Sequence, residues 1–350
     1  MKNRILEINF VKAVAIFAVL VIHATATPSV KVPWGSLSAL FYVLANQLSM
    51  FAVPLFLLVN GLVLFYRYHG DWSGAQALAF YKKRLQYILV PYLLWSLFYY
   101  AFNQWLMDRR IEFDPAFFWR LLLWGHSSYH LYFMVIVIQV YAVFPLLMSL
   151  VRRFRLQSRH VAWIGLLGQA AFYSVNKWDH PIPHIAALMP NYLLVFSVGA
   201  AIGMDYRAFA ERSRHLWWTF GAAVGTGLLY VLMLAASKSG AVYWSPLYAA
   251  LYNLYAVLVG VSALWIGRKA VALGSRLSQA VLAFGAASFG IYLVHPAVQS
   301  IWRHLYNPGP GGAVYHAYNA LTLLLDAFVS WGIVLLLKKI KFSWVWFGKS

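Results

Sequence analysis

The chain is dominated by about ten apolar runs of roughly 17 to 25 residues, the length a helix needs to cross the hydrocarbon core of a bilayer. They lie near 8–27, 40–65, 86–107, 129–150, 160–176, 188–204, 216–236, 245–267, 281–302 and 318–338. Runs of this kind leave few folds open, because lipid offers no partner to backbone N–H and C=O groups, which must then be satisfied within helices or closed barrels. The expected fold is an all-α polytopic membrane protein with about ten transmembrane helices. It forms one membrane domain over 1–350, with no separate soluble domain. Composition agrees, since 62% of residues are hydrophobic and only 11% are charged, against about a quarter charged in a soluble domain.

The 28 Lys and Arg outweigh the 9 Asp and Glu, for a formal charge of +19. Such an excess raises nucleic acid as a partner, but these cations lie in short loops between apolar spans, so the bilayer is the expected partner and nucleic acid is not. They also concentrate in alternate loops, as in Lys82, Lys83 and Arg84 or Arg152, Arg153 and Arg155. By the positive-inside rule this places both termini in the cytoplasm, in a multi-pass protein of the cytoplasmic membrane. Zero Cys excludes disulfides, thiolate metal sites and a Cys nucleophile. No cleavable signal peptide is expected. The outer loop 108–128 is long enough to form a cap with an amphipathic segment on the membrane. The sequence carries no signal of oligomeric state.

The first run contains VKAVAIFAVLVIH, which holds Lys12 near its inner end and His23 near its outer end. Eleven residues at about 100° each return the two side chains to within roughly 20° of one helix face, about 16 Å apart along the axis. Ionisable groups in a membrane ordinarily face a bundle interior or an aqueous cavity and mark function. The alternative is that Lys12 snorkels to the inner interface while His23 anchors the outer one.

Other polar groups accompany this pair. YHLYFM places His130 at the outer surface beside Tyr129 and Tyr132, and SFGIYLVHP places His295 in the outer half of its span. Both suit interfacial packing as well as catalysis. Asp326, the acid within the last span, either neutralises a cation or orients a His. VPLFLLVNG sets Asn60 and Gly61 where helices pack closely. YKKRLQYILVPY delivers Lys82, Lys83 and Arg84 into the third span, either as a topology signal or as a clamp for a polyanion. His126 and His130 are four apart at a helix boundary, and His180 and His184 are separated by prolines, so neither pair makes a metal site. No GxSxG, Walker loop, GxGxxG or HExxH is present.

These blocks resemble the acyltransferase-3 family, bacterial polytopic enzymes that O-acylate cell-envelope glycans and related acceptors. The resemblance covers essentially the whole chain. Lys12 to His23 matches the family's basic residue, ten residues, then His; VPLFLLVNG, YHLYFM and SFGIYLVHP follow its PLFFFLSG, HLWFL and SYGIYLLHP blocks in order. One departure is clear. The family's paired arginines entering span three are not both present, since Arg84 is followed three residues later by Tyr87. The membrane-only branch, which lacks an appended SGNH-type hydrolase, is the one it is similar to.

The resemblance implies a cytoplasmic acyl-CoA donor, acetyl-CoA or succinyl-CoA, and no permanently bound cofactor. It implies a glycan or sugar acceptor at the outer side. Lys12, Lys82, Lys83 and Arg84 would attract the CoA phosphates, and His23 would serve as general base, its ordinary pKa near 6.5 suiting that task. His130, His295, Tyr129, Asn60 and Asp326 would act in support or on the acceptor side. The alternative class is an exporter or flippase of a polysaccharide or lipid-linked saccharide, for which buried polar groups and aromatic walls would serve equally well. A lipid-phosphate-dependent glycosyltransferase is disfavoured, because the first outer loop TPSVKVPWGSLS carries no acid.

Overall fold

The structure, a computed structural model, describes residues 4–178, 181–238 and 244–348, and the regular elements among them are helical. His180 lies outside the described residues. The chain opens with α1 (Glu7–Ala26), a single turn α2 (Pro28–Lys31), α3 (Leu37–Leu48) and α4 (Ala52–Tyr68). Ser36 begins α3 by accepting a hydrogen bond from Ala39 N at 3.1 Å, satisfying a donor that the helix itself cannot. Next comes α5 (Gly74–Arg84), which runs through a π-helical turn, Leu85–Leu89, into α6 (Val90–Asp108). Pro91 has no N–H and crowds the turn before it, which accounts for the widened turn directly after Arg84.

The predicted cap contains α7 (Pro115–Trp124), with Asp114 accepting from the N–H groups of Ala116 and Phe117 and Pro115 opening the first turn. Only Leu122 of this helix is buried. Then follow α8 (Tyr132–Arg153), α9 (Ser158–Trp178), α10 (Leu193–Met204), α11 (Tyr206–Arg212), α12 (Trp218–Lys238) and α13 (Ser245–Leu273). The chain continues through α14 (Arg276–Ala286), α15 (Ser288–Leu305), α16 (Gly312–Leu337) and α17 (Trp344–Phe347).

Among the described residues, 7 helical segments are long and apolar enough to cross a membrane, or up to 9 if each of two bent pairs is one span. The protein is thus all-α and polytopic, as its apolar runs predict. The predicted span near 160–176 is the 21-residue α9, which falls outside that set and has Arg159 and Lys177 near its ends. Two predicted spans are not straight. The run 281–302 bends by 73° between α14 and α15, and the run 188–204 turns by 89° from its last helix into Tyr206–His215. The run 40–65 is interrupted at residues 49–51, between α3 and α4.

Cα proximity divides the chain into two compact units, one of 1–59 with 205–333 and the other of 60–204 with 334–350. In the first, α1 is the central helix, packed by α3, α13, α14 and α15. Gly285 lets α14 cross α1 in backbone contact, since a Cβ there would collide with Asn9 O. At the start of α1, Glu7 accepts from Tyr206 and pairs with Arg268 at 3.5 Å, fixing the ends of α11 and α13 beside it. In the second unit Gly61 is the close-packing residue its sequence block suggests. A Cβ on it would strike Phe196 O of α10, the small-residue contact that brings membrane helices together where burial supplies little drive.

Candidate functional site

In the first unit, α15 carries His295, Gln299 and Arg303 at intervals of four residues, so the three project along one face. His23, near the carboxyl end of α1, meets the inner member of that row. The His23 and His295 rings stack with centroids 5.3 Å apart and planes 27° apart. His23 is half-buried, and His295 is fully buried. His295 Nδ1 lies 3.1 Å from Ile291 O; a carbonyl only accepts, so Nδ1 carries the hydrogen.

Side chains add donors to the backbone carbonyls around His23. Thr25 Oγ1 donates to Val21 O at 2.6 Å, Asn46 Nδ2 on α3 donates to Ile22 O at 3.0 Å, and Arg303 Nη2 donates to His23 O at 3.1 Å. Asn46 also reaches Thr25 Oγ1 at 3.1 Å. The turn bearing His23 is therefore clasped from α3 and from α15, and a guanidinium is anchored at the histidine's own backbone.

The row continues onto α16. Gln299 Nε2 donates to Asp326 Oδ2 at 2.8 Å, and Trp302 Nε1 donates to Thr322 Oγ1 at 3.1 Å. Asp326 is completely buried. Of its two expected roles, its recorded hydrogen bond serves a glutamine rather than a histidine, with Arg303 in electrostatic reach. Lys12 lies eleven residues before His23 on the same helix and is half-buried, so α1 holds both on one stripe as the spacing predicts.

In the second unit, Lys82 and Lys83 are exposed at the end of α5, while Arg84 turns inward. Its guanidinium lies over the Tyr141 ring at 4.4 Å and the Phe80 ring at 5.0 Å. Asn60 Nδ2 donates to Tyr141 Oη at 3.1 Å. Arg84 Nε and Asn60 Oδ1 are buried without a hydrogen-bond partner among the described residues. Asn60 thus belongs to an arginine-centred group as well as to a packing seam.

His130 is 2% exposed, with Nδ1 3.1 Å from Ser128 Oγ and Tyr99 edge-on at 5.1 Å, while Tyr129 is the exposed member of that turn. The structure brings His126 to His184, ring centroids 4.8 Å apart. Among the described residues no group of three or more His, Asp or Glu could hold a metal ion.

Sequence reasoning missed Asn46, Gln299 and Arg303. Arg303 read as an outer-loop charge, although its spacing of eight from His295, with Gln299 between, was the available signal. Nothing local flags Asn46.

Comparison with known proteins supplies the family. The profile of the acyltransferase-3 Acyltransferase domain matches residues 5–337, nearly the whole chain. The chain belongs to the acyltransferase-3 family. Similar curated proteins include the "Probable poly-beta-1,6-N-acetyl-D-glucosamine export protein" of Staphylococcus aureus strains MSSA476 and MRSA252, each 24% identical over 321 residues, covering 85% of this chain and 83% of the relative. No solved structure matches. The acyltransferase-3 match spans both compact units, so His23, with its clasp, and Arg84, with its aromatic cradle, both lie inside the family's domain.

Proposed function

We propose that this chain is an O-acyltransferase of the cytoplasmic membrane that moves a short acyl group, acetyl or succinyl, from acyl-CoA to a hydroxyl of an envelope or extracellular glycan. The observation that carries this reading is His23, half-buried yet fixed through its own turn by Asn46 and Arg303, in a chain of an acyltransferase family. An imidazole held in this way suits proton abstraction, where misplacement by about 1 Å can cost around 10²-fold. The relatives' name, that of a probable polysaccharide export protein, supports a polysaccharide as the acceptor.

In the proposed reaction His23 removes the proton from the acceptor hydroxyl as its oxygen attacks the thioester carbonyl. The carbonyl oxygen gains negative charge, which the Arg303 guanidinium stabilises. The C–S bond then breaks, the ester carbonyl re-forms, and the imidazolium returns its proton to the departing CoA thiolate. For the donor phosphates, the proposed cations are Lys82, Lys83 and Arg84, which share the second unit.

A chain without Cys permits a direct assay, since a thiol-reactive dye reports only released CoA. Purified wild type should release thiol from acyl-CoA faster when a sugar acceptor is added. His23→Ala should lose about 10² to 10⁴ of that rate while folding normally. Full activity in folded His23→Ala would remove the base. A second reading, saccharide export without acyl transfer, is favoured by the relatives' name. It predicts glycan movement across vesicles with no thiol release.

A further inference from the structure

The first unit carries an apolar trench of about 300 Å³, lined by Phe10 and Val14 of α1, Val224 of α12, and Tyr255, Val259 and Ile266 of α13 among other residues. Its polar groups are used internally. Tyr255 Oη donates to Leu48 O at 2.6 Å, and Ser262 Oγ to Leu258 O at 2.7 Å, so the walls offer a guest nothing but hydrocarbon. Phe220, Val224 and Leu228, four apart on α12, are each about half exposed along one edge.

Its depth is informative. From Tyr255 to Ile266 is eleven residues of α13, about 16 Å, roughly half of a hydrocarbon core of about 30 Å. The trench is therefore about as long as one leaflet is deep. One end of it lies beside the amino end of α1, where Glu7 pairs with Arg268 and Gly267 packs against Phe10 and Glu7.

That end is cationic and aromatic. Lys269 Nζ lies 4.2 Å from the centre of the Trp265 ring, and Arg214 precedes α12 with exposed Trp217 and Trp218 beside it. Trp265 Nε1 is buried and donates to no atom of the described chain. A cation next to an unused buried donor calls for an oxygen acceptor bearing negative charge. Tryptophans at this depth mark the headgroup level.

We propose that the trench holds one acyl chain of an anionic phospholipid from the leaflet on the amino-terminal side, its phosphate among Lys269, Arg214 and Trp265. A trench one leaflet deep fits a single acyl chain, whereas a long polyisoprenoid would overrun it. This site stands independently of the acyl-transfer reading.

The test is thermal unfolding of the full chain in neutral detergent with added phosphatidylglycerol or phosphatidylcholine of identical chains, with native mass spectrometry counting bound lipid. The expected result is one retained phosphatidylglycerol per chain and a melting-temperature rise at least twice that given by phosphatidylcholine. Val224→Trp, which fills the trench from an exposed edge, should abolish both shifts. The surface pair Lys269→Gln with Arg214→Gln should remove the excess for phosphatidylglycerol and leave the phosphatidylcholine shift. Equal shifts for the two lipids in wild type would overturn the proposal, as would an excess that survives in the surface pair, or a larger shift with a polyprenyl phosphate.

Discussion

His23 sits in the last turn of α1, and carbonyls of that turn are what α3 and α15 grasp. Asn46 and Arg303 hold successive carbonyls, Ile22 O and His23 O, so either substitution should act on the position of the imidazole. Asn46→Leu removes the donor to Ile22 O and Thr25 Oγ1, a net loss of about 0.5–1.5 kcal/mol per hydrogen bond. Its expected kinetic effect is a kcat lowered about tenfold or more with KM for acyl-CoA little changed, measured by steady-state thiol release. For Arg303, alanine should cost about 10² to 10³ in kcat, as for loss of an oxyanion donor, and lysine less, because charge survives while the planar fork does not. Equal losses for lysine and alanine would favour a purely geometric role. Lys12 and His23 were legible because they interrupt an apolar run and share a helix face. Arg303 and Asn46 were not, because an arginine after an apolar span looks like a topology signal, and its contact with His23 O spans 280 residues of sequence.

At the scale of elements, the helices were legible and their bends were not. Apolar length fixes where a segment can cross lipid, but a break needs no Pro or Gly at the bend itself, and α14 and α15 join at Ala287. What shapes that corner is packing. Gly285, two residues earlier, lies against the backbone of α1. Gly285→Ala should therefore destabilise the protein by about 1–3 kcal/mol through overpacking. Gly221→Ala, at a helical glycine with nothing within 4 Å, should be neutral or gain up to about 1 kcal/mol. Paired melting curves of the two variants check this contrast.

The turn after α7 gives a pH prediction. Partial desolvation, and then the charge of His184, lower the pKa of His126. The unfolded chain takes up that proton more readily than the folded one, so the contribution is intact above about pH 6.5 and is lost as pH falls below it. Melting temperature should decline between pH 7 and pH 5, and His126→Gln should shrink the decline. An unchanged decline in that variant would exclude His126 as its source.

For the molecule as a whole, two compact units lie under one acyltransferase domain match, and the described chain has up to 9 membrane spans. The fold class was legible because a bilayer permits so few structures to so apolar a chain. The division into units was not, because each unit is built from two separate stretches of the chain, and no linker, repeat or change in composition marks the joins. The account's central claim is that an acyl group passes from a thioester to a glycan hydroxyl with His23 taking the proton. The most direct measurement uses isotopically labelled acyl-CoA with the reconstituted protein and a soluble oligosaccharide, followed by mass spectrometry of the saccharide and titration of released thiol. The predicted result is a labelled ester on the saccharide, one thiol per ester, with both absent in folded His23→Ala. Saccharide carried across the vesicle membrane unesterified, with no thiol released, would contradict it.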